Sequence, residues 1–156
     1  MARTASRRRV ADSDTASLYL LHVETMKGYV TATYGAWDED VQARMFREDW
    51  VNRRSSELLE ENGRIVATWK IERRAHEHYL AFIEVAVAYQ GQGRGTAIIQ
   101  ELVANARLEG VPASLRVMKA NSRARCLYER LGFIAVEETT THFRMVCGAQ
   151  GVRTST

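Results

Sequence analysis

The stretch Gln90-Gly91-Gln92-Gly93-Arg94-Gly95-Thr96 constrains this chain more than any other. Before it, Ala81 to Val87 reads as a mostly buried strand of aromatic and β-branched residues. After it, Ile98, Ile99, Leu102, Val103 and Ala106 recur at helical spacing, with Gln100, Glu101, Asn105 and Arg107 on the other face. The order is therefore strand, glycine-rich turn, helix. Three glycines let the backbone pass through φ > 0 and leave no side chains in a ligand's way. The helix that follows offers unpaired N–H groups and its positive dipole end, which together suit an anion such as phosphate. The plainer reading is a tight turn that binds nothing. Two nucleotide motifs fit poorly. A dinucleotide fingerprint asks for a carboxylate after the next strand, where Met118 and Lys119 stand, and a P-loop asks for Lys-Ser/Thr where Thr96-Ala97 stands.

A chain of 156 residues suits one domain with one core, expected to be ordered over about residues 10–147. Apolar content of 46%, a single proline and clear periodicity argue against disorder. The net charge of +3 is compatible with an acidic ligand but does not indicate nucleic acid. Cys126 and Cys147 have neither metal spacing nor the density of a disulfide scaffold. No apolar run reaches the roughly 18 residues of a membrane span, and the basic N-terminus lacks a signal-peptide core. A cytoplasmic location, away from membranes, is the default expectation.

Met1 to Ser6 and Gly148 to Thr156 read as frayed ends, and Arg7, Arg8 and Arg9 as a solvated basic run, with Val10 as the candidate close of a short first strand. Asp12 or Ser13 caps a helix running to about Thr31 through Leu18, Leu21, Val23, Met26 and Val30. Tyr29, Tyr34 and Trp37 gather around a break at Gly35, either as core or as a ligand wall. Asp38 caps a second helix with Val41, Met45, Phe46 and Trp50 on one face. Ser55 to Glu60 and Ile65 to Arg73 form a hairpin around Asn62-Gly63, with Thr68 expected on its polar face. His76 and His78 form an H-x-H pair, but no third ligand supports a metal. Gly110 and Pro112 end the central helix, and Ala113 to Met118 returns as a parallel strand through a right-handed crossover. Asn121 caps a last helix with Ala124, Leu127, Tyr128 and Leu131 on one face, followed by strands Phe133 to Glu137 and His142 to Cys147. The expected fold is α+β, a layer sandwich on a mixed, mostly antiparallel sheet of six to seven strands with helices on both faces.

The segment from Asn121 to Phe133 resembles the N-x-x-A-x-x-x-Y-x-x-x-G-F pattern of the GNAT superfamily of N-acetyltransferases. Gln90, Gly93 and Gly95 match that superfamily's Q/R-x-x-G-x-G/A turn. Val87 departs from the proline that many members carry before the turn. The resemblance spans about residues 18–147 and is specific from Ile83 to Phe133. It implies acetyl coenzyme A as donor, lying between two splayed parallel strands. Val85, Ala86 and Val87 would pair with the pantetheine arm, and the amides from Gln90 through Gly91, Gln92, Gly93, Arg94 and Gly95 to Thr96 would hold the pyrophosphate. Asn121, beside Ala124, would hold the pantetheine amide, and Tyr128 would lie by the thioester sulfur. Arg94, Arg123 and Arg125 would screen the nucleotide phosphates.

An amine attacking a thioester needs a proton acceptor, an oxyanion donor and a proton for the departing thiolate. Glu84 is the candidate base, with pairing to a neighbouring arginine as the structural alternative. A backbone N–H at Val85 or Ala86 is the candidate oxyanion donor, and Tyr128 the general acid. Family position places Glu24, Tyr29, Tyr34 and Trp37 at the wall facing a cationic amine, either a small molecule or a protein amine. Cys126 reads as a packing residue. The competing functions are a catalytically silent acyl-coenzyme A sensor and a nucleic-acid module using the basic arm. A homodimer is compatible with the chain.

Overall fold

The computed structural model describes residues 4–148. The strands are β1 (Ala5–Arg9), β2 (Glu57–Glu61), β3 (Arg64–Arg73), β4 (His78–Val85), β5 (Ala113–Met118), β6 (Ile134–Glu138) and β7 (His142–Cys147). The helices are α1 (Thr15–Tyr34), α2 (Glu39–Arg53), α3 (Arg94–Leu108) and α4 (Ser122–Arg130). The strands order as β1-β2-β3-β4-β5-β7-β6 in one seven-stranded, mostly antiparallel sheet, as expected for this α+β fold. Among the described residues, those up to Lys70 together with Phe82–Arg94 form one compact unit. Ile71–Ala81 together with those from Gly95 onward form the other.

In the first unit, β1 corrects the expectation of a frayed, solvated N-terminus. It pairs antiparallel with β2 from Ala5↔Glu61 to Arg9↔Glu57. Two of its arginines find carboxylates: Arg7 reaches Glu57 across the ladder at 2.9 Å, and Arg8 bridges Glu60 and Asp14. Residues 1–3 of the expected frayed end, and 149–156 of the other, lie outside the described residues. A short 3-10 turn, Asp12–Asp14, precedes α1, so the helix starts later than a cap at Asp12 or Ser13 would place it. Asp14 instead accepts from Arg8 and from the Ala11 amide. The Arg8 guanidinium holds the Asp14 carboxyl below the usual carboxylate range. The helix continues through Gly28 to Tyr34 and is capped by Gly35 at φ 85°. Asp38 does cap α2, accepting from the Val41 amide at 3.0 Å.

Leu18, Leu21 and Phe46 form one core cluster here, with Val10, Tyr19, Trp50, Ile65 and Ala86 packed against them. Of the expected apolar face of α2, Val41 and Met45 are exposed and Phe46 alone is fully buried. Asn62 (φ 53°) and Gly63 (φ 78°) form the hairpin turn that the Asn-Gly pair dictates. Thr68, expected on a polar face, is buried and donates to the Glu57 carbonyl at 2.9 Å, because both faces of β3 are covered at this point.

In the second unit, β4 and β5 pair in parallel from His78↔Ala113 to Leu80↔Leu115, as the crossover requires. β7 then pairs antiparallel with β5 over its whole length, and β6 with β7. Ile98, Ile99, Leu102 and Ala106 form the buried stripe of α3 that their spacing predicts. Glu77 ties this unit together by accepting from Ser114, Arg74 and Arg144.

Candidate functional site

The strand before the glycine turn ends at Val85, two residues earlier than the sequence suggests, and Val87–Tyr89 closes into a 3-10 turn. Gly91 (φ 73°) and Gly93 (φ 87°) then carry the chain into α3. Gly95 has no positive φ and lies inside the helix, so two glycines, not three, make the turn. A Cβ built at Gly93 would meet nothing within 4 Å, so the space above this backbone is open.

The long side chains of the turn fold back onto the protein. Gln90 donates to the Val85 carbonyl at 2.9 Å and Gln92 to the Ala88 carbonyl at 3.3 Å. Arg94 forms a two-point pair with the Glu61 carboxylate, reaches Gln92 Oε1 at 2.7 Å and lies over the Tyr89 ring. The expectation that Arg94 screens phosphates therefore gives way to a structural role: it pins the turn to the end of β2. The Gln90 amide also donates, to the Val87 carbonyl, and so leaves the expected set of phosphate-facing N–H groups. Those of the glycine segment and of the first turn of α3, up to Thr96, are the donors that a helix start leaves over.

The three residues expected to pair with a pantetheine arm differ in what they can offer. The Ala86 N–H donates to the Val66 carbonyl on β3 at 2.9 Å, and its carbonyl accepts from Tyr89, so Ala86 is no oxyanion donor. Adjacent residues of a strand direct their polar groups to opposite edges, which turns those of Val85 away from β3. On that edge the Val85 carbonyl receives Gln90 Nε2. Val85 remains the candidate donor.

Glu84 is buried, 3% exposed. Its Oε1 lies 3.0 Å from His22 Nδ1 on α1 and 3.4 Å from both terminal nitrogens of Arg53 on α2. Its Oε2 is buried with no hydrogen-bond partner among the described residues. Arg53 is itself held between the rings of Phe46 and Phe82, at 4.7 and 4.4 Å. The arginine expected to pair with Glu84 thus exists, and a histidine shares the same carboxylate. Sequence reading named neither partner, since they stand 31 and 62 residues from Glu84. A histidine four residues after Leu18, and so on the same side of α1 as that apolar residue, was the available signal.

In the second unit, Asn121 caps α4 by accepting from the Ala124 amide at 3.1 Å, which leaves the two N–H donors of its side chain outside the cap. The Ala124 amide is engaged by the same bond. Tyr128 is buried beside Phe133, ring centroids 5.9 Å apart, and burial pushes its phenol up to about 12. Arg125 pairs with Glu129 at 2.8 Å and stacks over Phe143, a structural role in place of the expected phosphate screen. Cys126 is exposed, so the expectation that it packs is corrected, whereas Cys147 is buried.

Of the expected acceptor wall, Trp37 comes to His22, ring centroids 6.0 Å apart, and its indole Nε1 is buried with no hydrogen-bond partner among the described residues. Glu24 is exposed and, two residues past His22, points off another side of α1. Tyr34 is exposed and Tyr29 half-buried. The H-x-H pair is divided between a buried His78, whose Nε2 lies 2.7 Å from Glu109, and an exposed His76. Among the described residues no group of three or more metal-ligating side chains occurs. No helix among them is long and apolar enough to cross a membrane.

Comparison with known proteins bears directly on this arrangement. A 5-NmdU N-acetyltransferase from Pseudomonas phage PaMx11 is 32% identical over 96 residues, covering 60% of this chain and 64% of the relative. The chain thus spans less than two thirds of that relative's length. Among solved structures, the PaiA N-acetyltransferase of Thermoplasma acidophilum in complex with coenzyme A aligns with a TM-score of 0.74 at 15% identity, over 93% of this chain and 99% of that one. YncA of Salmonella typhimurium, an acetyltransferase structure with acetyl coenzyme A, aligns with a TM-score of 0.60 at 17% identity, over 94% and 95%. The model of the acetyltransferase (GNAT) family matches residues 22–133, a span that opens at His22 and closes at Phe133. With more than half of its length inside that match, the chain belongs to the GNAT family of acetyltransferases.

Proposed function

We propose that the protein moves the acetyl group of acetyl coenzyme A onto a primary amine by direct attack within a ternary complex. The observation that carries this reading is the bare glycine turn. Its arginine and both glutamines are drawn back onto protein groups, and the space above Gly93 is open. Main-chain N–H groups at the start of a 15-residue helix are left to meet a pyrophosphate. The side-chain N–H donors of Asn121 are suited to a pantetheine carbonyl.

The acceptor amine sets the chemical demand. A lysine-type amine has a pKa of about 10.4, so most of it is protonated at neutral pH and needs a proton acceptor before it can attack. Glu84 supplies the negative charge for that step. The Val85 N–H is assigned to the thioester oxygen, a contact worth roughly 3 kcal/mol per donor in other enzymes. Tyr128, with its phenol at about 12, keeps its proton throughout the neutral range. Against a thiol reference of about 8.5, full transfer from Tyr128 to the thiolate is uphill by roughly 5 kcal/mol. Tyr128 therefore stabilises the departing sulfur as a hydrogen-bond donor, and solvent completes the protonation.

The phage relative's name brings 5-NmdU forward as one acceptor, beside small polyamines and protein amines. A cytoplasmic setting belongs to the same proposal. Thiol release from acetyl coenzyme A in the presence of spermidine, alanyl and lysyl peptides and 5-NmdU tests it. Turnover with one of them is expected. Coenzyme A binding by calorimetry without turnover on any amine would favour an acyl-coenzyme A sensor.

A further inference from the structure

Glu84 is poorly placed to meet an amine on its own. Its side chain is 2% exposed, and Oε1 is shared by His22 and Arg53. The His22 side chain is 17% exposed and is the outermost member of the group. We propose that His22 is the residue that takes the proton from the acceptor ammonium, with Glu84 positioning its ring and Arg53 anchoring Glu84. This rests on the amine acetyltransferase reading above.

Hydrogen-bond logic sets the direction. As a carboxylate, Glu84 only accepts, so the 3.0 Å contact requires a proton on His22 Nδ1. Arg53 also approaches Nδ1, but at 3.5 Å, and it only donates, so the shorter contact decides the tautomer. With Nδ1–H given to Glu84, the neutral ring has its lone pair at Nε2, the form a general base needs. The charged groups facing His22 are Glu84 from β4 and Arg53 from α2; Asp49 lies 3.4 Å from Arg53 Nε. The rest of its surroundings are the rings of Trp37 and Phe46. Two buried polar atoms on these neighbours, Glu84 Oε2 and Trp37 Nε1, have no hydrogen-bond partner among the described residues. Orphaned atoms of this kind are rare in folded proteins and suit a polar guest beside His22.

The ammonium N–H bond breaks as Nε2 takes the proton, giving an imidazolium stabilised by Glu84. The freed nitrogen lone pair forms the N–C bond with the thioester carbonyl carbon as the C=O π pair moves onto oxygen. That pair then returns to re-form C=O, the C–S bond breaks with its electron pair on sulfur, and the second proton of the nitrogen passes through solvent to the thiolate. One proton is released to solvent from His22 as the ring resets.

The test compares wild type with His22→Asn, whose side-chain NH2 keeps the donor to Glu84 but has nothing at the Nε2 position. With whichever of spermidine, the alanyl or lysyl peptide or 5-NmdU is turned over, kcat is expected to fall at least about a hundredfold near neutral pH. KM for acetyl coenzyme A should stay within twofold. The deficit should shrink as pH rises and more amine is already neutral. In His22→Ala, added imidazole should restore part of the rate, which a packing role would not allow. A His22→Asn variant that keeps more than a third of wild-type kcat with an unchanged pH profile would overturn the assignment. Nitrogen-15 shifts of the His22 ring in the wild-type protein give a second reading that needs no variant to fold. A proton on Nδ1 is expected, and one on Nε2 with Nδ1 bare would refute the proposal. Absence of wild-type turnover on every amine defeats the acetyltransferase reading instead, a result separable from active enzyme indifferent to His22.

Discussion

The pair between Glu61 and Arg94 offers a direct measure of how the glycine turn is held. The side chains are 9% and 13% exposed, and the guanidinium meets the carboxylate through two nitrogens. Glu61→Gln keeps one acceptor oxygen, removes the charge, and sets an NH2 against an arginine N–H. Breaking a buried pair from one side costs about 3–5 kcal/mol. Arg94 also keeps the Tyr89 carbonyl and Gln92 Oε1 as acceptors, which brings the expected loss down to about 2 kcal/mol. For a chain of this length that corresponds to a fall in Tm of about 4–8 °C, read by circular dichroism. The double variant Glu61→Met with Arg94→Met leaves no orphaned charge and should lose less than Glu61→Gln alone. Calorimetry should show coenzyme A binding about tenfold weaker in Glu61→Gln, or 1.4 kcal/mol, because the loop must then be ordered by the ligand. A Tm within about 1 °C of wild type, together with unchanged coenzyme A affinity, would refute the claim that this pair pins the turn.

Other outcomes follow from the same geometry. Gly93→Ala should cost about 1–2 kcal/mol through its positive φ alone, since its Cβ meets open space. Gly93→Asp should add a loss of coenzyme A affinity of at least tenfold by calorimetry, and equal affinities for the two variants would count against a phosphate cradle. Tyr128→Phe should lower kcat while leaving acetyl coenzyme A binding near wild type. Because the folded phenol sits near 12 against about 10 unfolded, Tyr128 contributes stability present below pH 10 and lost as pH rises toward 12. Alkaline melting curves should show that loss in wild type and not in Tyr128→Phe. The Asp14 carboxyl is depressed by Arg8, so its contribution is present above about pH 3.9 and disappears on further acidification through its lower folded value. The Tm gap between wild type and Asp14→Asn should therefore close in acid, and a gap that persists would show that Asp14 acts through packing.

What could be read from the chain alone was whatever is decided locally. The stripe of α3, the Asn62-Gly63 turn and the caps at Asp38 and Asn121 follow from spacing and side-chain hydrogen bonding, and all stand in the structure. The misreadings share a different cause. Arg7 and Arg8 look like a solvated run until β2 brings Glu57 and Glu60 opposite them. Arg94 looks like a phosphate ligand until Glu61, 33 residues earlier, claims it. Glu84 was legible as a candidate, but its environment was not, because α1, α2 and β4 each contribute one member. Periodicity reports which face of an element is apolar; it carries no information about which charged side chains long-range pairing will bring together. Val41 and Met45 show the limit on the apolar side too, since helical spacing alone does not say how far around α2 the core extends.

The two thiols of this protein are unequal, and that inequality shapes how it meets oxidants and electrophiles. Cys126 stands in water on α4, two residues before Tyr128, while Cys147 is enclosed and its thiol is pushed up by burial. A maleimide dye would therefore load one position per molecule, on the helix that Asn121 caps. Fluorescence from that label would follow donor occupancy without any acceptor being known.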